Sequence, residues 1–372
     1  MNKLVLERLQ IGGDFFEFKL GVNYVVGGYG SGKTTIFQSI RFALGLIKKW
    51  EGIFIVGSRI ELIAHLGQDR VVFTRSEFSS KLMVCVGGVE KEYDALSDAL
   101  NVFYLDAFGF EFLYPDCRES AFEVIDFFFV SDDVSSSKQK QWSALRSVLG
   151  VNLLFLNSLA SDIKELEREV LKDSMQKDLI LEFSQGLISS VAELRNADEV
   201  LLKVSKAQSI FFERFAQHES LYLGVQEKYK RLVVESNRYQ DERLSELSAE
   251  VSRVSSLFDM NTVFSGDIQN LLANKGSPRS FGEDVLLRFS LVLAVSFKEL
   301  SSRLNSIGML VNDCFLSRAS TNRTKKVADI LVNSQMNDGG LGQYIEFVRS
   351  DQFVGEGNII RLGDRLRLHG VL

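Results

Sequence analysis

Eight consecutive residues near the N-terminus constrain this chain more than any others. Gly27-Gly28-Tyr29-Gly30-Ser31-Gly32-Lys33-Thr34 fits the phosphate-loop pattern Gly-x-x-x-x-Gly-Lys-Ser/Thr. Each residue type has a reason. Glycines let main-chain N–H groups turn inward around phosphate oxygens, so Gly27, Gly28, Gly30 and Gly32 form the cradle with Ser31. Lys33 brings a point charge to the β- and γ-phosphates, and the Thr34 hydroxyl is a ligand for Mg²⁺. The apolar run Asn23–Val26 reads as a buried strand before the loop. The residues from Thr34 to Leu46 read as a helix after it, whose positive end points at the phosphates and brings Thr35 to the site. A strand–loop–helix of this kind demands an α/β fold and implies a nucleoside triphosphate as ligand.

The rest of the N-terminal segment supports that class. Leu4–Leu9 and Phe15–Leu20 read as strands. Arg70–Arg75 and Lys81–Val86 read as a strand pair, continued through the Gly87-Gly88 turn into Val89–Tyr93. Val102–Leu105 is a further apolar strand candidate, which makes Asp106 a strand-end acid.

From residue 151 the character changes. Proline is absent up to residue 270, and glycine is reduced to Gly186, Gly224 and Gly266. Leu159, Ile163, Leu166 and Val170 step by four, three and four. Leu244, Leu247, Val251, Val254 and Phe258 step likewise. This spacing predicts helices that zip along a seam, as a short antiparallel hairpin or as two amphipathic helices of a helical subdomain. Arms of ~45 residues would reach ~65 Å. After residue 271 the pattern returns to α/β: a buried helix at Val285–Phe297, a strand at Gly308–Val311, a helix near Val327–Val332, and strands at Tyr344–Val348 and Ile359–Leu362. Three parts are expected: 1–150 as the first lobe of a head, 151–270 as a helical insertion, and 271–372 as the second lobe.

With this order on the page, the chain resembles the SMC, SbcC and RecF group of ATP-binding-cassette (ABC) ATPases. LVLERLQIGGDFFEFKLGVNYVVGGYGSGKTTIFQSIRFALGL follows that group's opening pattern, and SIRFALG is especially SMC-like. The resemblance implies a P-loop ABC-type head split in sequence by an antiparallel coiled-coil insertion. It implies a signature segment at Ser280-Phe281-Gly282-Glu283, with Ser280 and the Gly282 backbone contacting the γ-phosphate bound to a second copy. It implies a Walker B strand at Gly308–Asp313, with Asp313 as the magnesium acid and the candidate catalytic residue. Asp106 is the competing acid, and also the nearest candidate for the loop glutamine that touches magnesium in the family. The family's next glutamate is Cys314 here, its later aspartate falls on Ser320, and its switch histidine falls on Ser350. Phe281 stands where the family has glycine. ATP binding is therefore the firmer expectation and hydrolysis the weaker.

Partners follow from the same resemblance: ATP with Mg²⁺, a homodimer, DNA, and a nuclease or other effector protein. The alternative is a catalytically weak nucleotide sensor that recruits an effector. Composition limits the other classes. A net charge of −6 argues against coating nucleic acid by bulk charge, leaving local runs such as Lys228–Arg231, Arg323–Lys326 and Arg361 with Arg365 and Arg367. The three cysteines (Cys85, Cys117 and Cys314) lie far apart and form no CxxC site, so neither a disulfide framework nor a zinc hook is expected. Glu7 and Arg8 interrupt the N-terminal apolar run, and the apolar run Phe289–Phe297 is too short to span a bilayer. A cytoplasmic protein without a membrane segment is expected.

Overall fold

The computed structural model describes residues 2–49, 59–115, 119–131, 138–191, 196–257, 268, 281–296, 302–313, 329, 341–351, 353 and 356–362. The chain divides into two compact units: Met1–Asn152 with Tyr239–Leu372, and Leu153–Arg238.

The first unit carries two sheets. One is antiparallel, with strand order β2-β1-β4-β5-β6-β7: β1 Leu4–Ile11, β2 Asp14–Glu17, β4 Arg59–Leu66, β5 Asp69–Ser76, β6 Lys81–Val86 and β7 Val89–Asp94. The other has the order β11-β3-β10-β9-β8, and every pairing in it is parallel: β3 Gly21–Gly27, β8 Phe129–Ser131, β9 Met309–Asp313, β10 Gln343–Arg349 and β11 Asn358–Arg361. Continuous apolar runs suit this second sheet, because a parallel sheet is covered on both faces. α1, Lys33–Ala43, covers one face: Phe37 meets Phe129 and Phe347 edge-on. α7, Phe281–Ser296, packs on the other, where Phe289 meets Tyr344.

A buried amide joins the two sheets. β1 shifts register between Leu6 and Arg8. Gln343, the first residue of β10, donates to Leu6 O at 2.8 Å and to Lys19 O at 2.9 Å, and accepts from Leu6 N at 2.8 Å. The Leu6 main-chain groups, beyond the reach of β2, thus gain partners from the other sheet, as buried backbone requires.

Two sequence expectations are corrected here. Val102–Leu105 is not a strand but the middle of α2, Asp98–Phe108. Val, Phe and Tyr favour strands, yet the segment is bracketed by helix signals. Ser97 caps it by accepting from Leu100 N, and Gly109 ends it in the left-handed conformation at φ 63°. Leu100, Tyr104 and Phe108 then share one buried face, and Tyr104 Oη donates to Leu44 O at 2.6 Å. The second correction concerns the run at Leu244. Leu244, Leu247, Val251 and Val254 belong to the core of the first unit rather than to a seam between arms. β4, central in the antiparallel sheet, is not among the expected strands. The expected helix at Val327–Val332 lies outside the described residues apart from Asp329.

α3, Ala121–Phe127, and α4, Lys138–Val148, complete the described elements of the first unit before Asn152. The second unit is built from α5, Leu153–Val191, and the N-terminal part of α6, Ala197–Leu257. His218 Nδ1 lies 2.7 Å from Asp173 Oδ2, and Lys177 Nζ lies 4.8 Å from the centre of the Phe215 ring. The two pairs advance on one helix as they retreat on the other, so α5 and α6 run antiparallel. The less exposed positions of α5 step by three and four from Ile163 through Val170, Asp173, Lys177, Ile180 and Ser184 to Leu187. That is a heptad seam longer than its apolar residues reveal, because Asp173, Lys177 and Ser184 occupy seam positions. Among the described residues, no single helix is long and apolar enough to cross a membrane.

Candidate nucleotide site

The site is built where β3 ends. Asn23 sets the entry to that strand: its Oδ1 accepts from Lys19 N at 2.8 Å, and its Nδ2 donates to Lys19 O at 2.7 Å. β3 then runs buried from Val22 to Gly27 and stops, and α1 begins at Lys33. Gly30 and Gly32 adopt positive φ, 72° and 89°, which only glycine does without strain. Gly32 is the residue before the helix, so the first N–H groups of α1 open onto the loop. Its first turn carries no acidic residue to compete for them.

Lys33 holds the loop closed. It is only 7% exposed, and its ammonium donates to Gly27 O at 3.0 Å, Gly28 O at 2.7 Å and Ser31 Oγ at 3.4 Å. The loop's own main chain also closes it, with Ser31 N donating to Gly28 O at 3.4 Å. Thr34 is exposed in the first turn of α1, and Thr35 is half-buried behind it, with its carbonyl accepting from Ser39 Oγ at 2.7 Å. Tyr29, at the tip, is 97% exposed.

Gly27 has no room for a side chain. A Cβ there would lie 2.2 Å from Ser31 Oγ and 3.1 Å from Leu362 Cβ, whereas one at Gly28 would meet nothing within 4 Å. Gly27→Ala is therefore expected to displace Ser31 and open the cradle. The expected result is at least a tenfold loss of nucleotide affinity and about 1–3 kcal/mol of stability. Gly28→Ala serves as the control with near-normal binding. Isothermal titration with ATP on both variants reads the difference.

The other strands bring their C-terminal ends to the same edge, where ligands of open parallel sheets bind. Asp313 is the last residue of β9 and is 6% exposed. It stands in register with Phe347 of β10 and Ser131 of β8. Phe347 packs on Phe37, so Asp313 lies on the α1 side of the sheet. Arg349 stands in register with Gly27, and Ser350 N donates to Gly27 O at 3.2 Å. β8 is the strand beside β9, and Ser131 is its last residue. Asp106 is not there. It sits on α2 and lines a separate cavity of about 390 Å³ with Asn2, Asp69, Lys91 and Tyr93. Asp106 is thereby removed as a strand-end acid, because its segment is helical. Gly282 falls in the first turn of α7; Ser280, Cys314 and Ser320 lie outside the described residues.

One buried group escapes sequence reasoning. Glu346 of β10 is 1% exposed on the face opposite α1. Asn312 Nδ2 donates to its Oε2 at 2.6 Å, and the Tyr344 hydroxyl also donates to it. Burial first, and then this carboxylate, push both Tyr344 and Tyr24 well above the ordinary phenol range. The cluster ties β9 to β10 one residue before Asp313. Its signal in the sequence is a lone glutamate inside the apolar run Tyr344–Val348.

The donor set fits a magnesium-bound polyphosphate. The amides at the start of α1 and the Lys33 ammonium suit the phosphates, the exposed Thr34 hydroxyl and the Asp313 carboxylate suit the metal, and Gly27 leaves space for the loop to close.

No protein-family model and no curated protein matches this chain. Among solved structures, the chain is similar to the Smc head domain with an extended coiled coil, bound to the C-terminal domain of ScpA, from Pyrococcus furiosus. The identity is 13%, the match covers 94% of this chain and 90% of that one, and the TM-score is 0.48. It is similar to the Smc head domain with a coiled coil and joint from Pyrococcus yayanosii, at 11% identity, 93% and 92% coverage, and a TM-score of 0.48. It is also similar to the recombination mediator protein RecF with ATP, of the RecFOR pathway, at 13% identity, 97% and 96% coverage, and a TM-score of 0.43.

Proposed function

We propose that this chain is an ABC-type ATPase head that binds ATP with Mg²⁺ at Gly27–Thr34, pairs with a second copy across the nucleotide, and acts on DNA together with a nuclease or other effector protein. The observation that carries the reading is the closed phosphate loop, with Lys33 turned onto the Gly27 and Gly28 carbonyls at the sheet edge where β9 also ends in the buried Asp313. Bound ATP with Mg²⁺ supplies a phosphoanhydride activated for transfer to water. The chain's own residues bind and orient it. Lys33 and the α1 amides fix the phosphates, Thr34 and Asp313 hold the metal and its water shell, and Ser280 with Gly282 completes the site of the opposite copy.

A second reading has its own support. Cys314 follows Asp313 where the family carries a glutamate, and a thiol is a poor base for water. In this reading ATP is a slowly consumed ligand that fixes the dimer and recruits an effector.

The two readings separate on turnover. For the DNA-handling ATPase, steady-state phosphate release rises when DNA is added, and DNA affinity depends on ATP and falls steeply with salt. For the sensor, ATP binds tightly with negligible release under either condition. Ser280→Arg tests the pairing common to both. The variant is expected to bind ATP as a monomer and to give no ATP-dependent dimer in light scattering. Dimers at the wild-type level would remove the role of the signature segment.

A further inference from the structure

We infer that the face of α6 turned away from α5 is a second pairing surface, on which two copies of this chain dock antiparallel at mid-arm without nucleotide. This surface uses none of the nucleotide-site residues, and it adds to the nucleotide-dependent pairing proposed above.

The face is set by helix geometry. Phe215 and His218 of α6 meet Lys177 and Asp173 of α5. At ~100° per residue, Gln217 and Ser220, two places further on, stand on the far side of α6. Together with Glu213, Leu221, Gly224 and Lys228 they line a groove of about 730 Å³. All six are exposed, Leu221 by 53%.

Gly224 is costly where it stands. It lies near the middle of α6, a helix of 61 residues, where glycine is less favourable than alanine. A Cβ added there would meet nothing within 4 Å, so the packing of the described chain does not require glycine. A bare backbone at this point lets the side chains of a second helix sink into the groove.

The order of residues along the face makes it complementary to itself. Glu213 and Lys228 are equally far from the midpoint between Ser220 and Leu221, and so are Gln217 and Gly224. A two-fold axis through that midpoint pairs each residue with its opposite number in both copies. Two α6 helices laid antiparallel across it set Glu213 of each copy against Lys228 of the other and Gln217 against Gly224, with the two Leu221 side chains meeting at the axis. Among the described residues, neither Glu213 nor Lys228 takes part in an ion pair. Lys206 and Glu235, further out on the same face, are again equidistant from the midpoint and opposite in sign. Nucleic acid suits this face poorly, because Glu213 and Glu235 stand in one row with the lysines. A second copy satisfies both signs at once.

Sedimentation of the full chain without nucleotide, across the micromolar range, tests the pairing. One helix face gives a small interface and a weak dimer, with an expected dissociation constant on the order of tens of micromolar. Dilute chain therefore stays monomeric until ATP is added. Glu213→Lys and Lys228→Glu each bring like charges together twice, and each is expected to weaken the dimer about tenfold. The double variant Glu213→Lys with Lys228→Glu returns to the wild-type value. Gly224→Leu fills the groove and weakens the dimer about tenfold or more, while its melting temperature stays level or rises because leucine is the better helix former. Lys33→Ala pairs like the wild type, so the arm contact and the nucleotide site are read separately. A wild type that stays monomeric throughout the range overturns the inference and leaves this face to another partner. Dimers that none of the single variants weakens, or a double variant no better than the charge-reversed singles, overturn it as well.

Discussion

Lys33→Ala is expected to reduce ATP affinity by ~100-fold or more while leaving the chain folded. The lysine contributes charge-assisted hydrogen bonds to phosphates, and losing two of these costs about 3 kcal/mol or more. Its role in the nucleotide-free loop adds a second effect. The ammonium also holds Gly27 O, Gly28 O and Ser31 Oγ, so alanine loosens the cradle itself. The stability cost is small, about 1 kcal/mol, because water reaches the freed loop carbonyls. Titration calorimetry reads the first effect and a thermal melt the second. ATP binding at wild-type strength by Lys33→Ala would show that the polyphosphate does not sit at this loop.

The largest expected loss of stability lies away from the ligand. Arg75, on β5, is 1% exposed, and it ends α1. Its guanidinium donates to Phe42 O at 3.0 Å, Ile47 O at 2.7 Å, Lys48 O at 2.6 Å and Ser79 O at 2.9 Å. It also lies over the Phe42 ring, 3.7 Å from its centre. Burial pulls its pKa down to about 10, which still leaves it charged at neutral pH. A cation at this end of the helix also opposes the negative end of the α1 dipole. Arg75→Met removes every donor and leaves four carbonyls without this partner, Phe42 O among them in a buried site, for an expected loss of about 3 kcal/mol. Against a typical total of roughly 5–15 kcal/mol, that threatens soluble expression. Urea unfolding measures the loss, and Arg75→Lys is expected to recover only part of it, because one ammonium does not span four acceptors. A midpoint within error of the wild type for Arg75→Met would show that the α1 terminus does not depend on this cap.

The two variants differ in how far ahead of the structure they are visible. Lys33 is legible because its partners are its own sequence neighbours, so a pattern of eight residues carries the geometry. Arg75 reads as one more charged residue on an alternating strand, since three of its four acceptors, Phe42 O, Ile47 O and Lys48 O, lie far back in the chain. Gln343 and Glu346 are hidden for the same reason, and each is a polar residue in an apolar run whose partners come from distant strands. Val102–Leu105 misleads in the opposite direction. Its residue types favour a strand, but the caps at Ser97 and Gly109 and a tertiary bond from Tyr104 to Leu44 O make it helical. That difference removes Asp106 from the candidate magnesium ligands. In the arm, Asp173, Lys177 and Ser184 break the apolar rhythm of a seam that continues beneath them.

Alone, the order of the residues determined what is local in sequence: a glycine-rich turn between a buried strand and a helix, the runs that become parallel strands, and a long proline-free helical stretch. These follow from backbone freedom, periodicity and capping, which act over a few residues. The tertiary structure decided which strand ends meet. It put Asp313, Ser131 and Arg349 at one edge with the phosphate loop, set the Leu244–Val254 run into the core of the first unit, and gave Arg75 its acceptors at Phe42, Ile47 and Lys48. Those outcomes depend on contacts between residues tens to hundreds of positions apart, where burial and hydrogen-bond satisfaction over the whole unit outweigh any local preference.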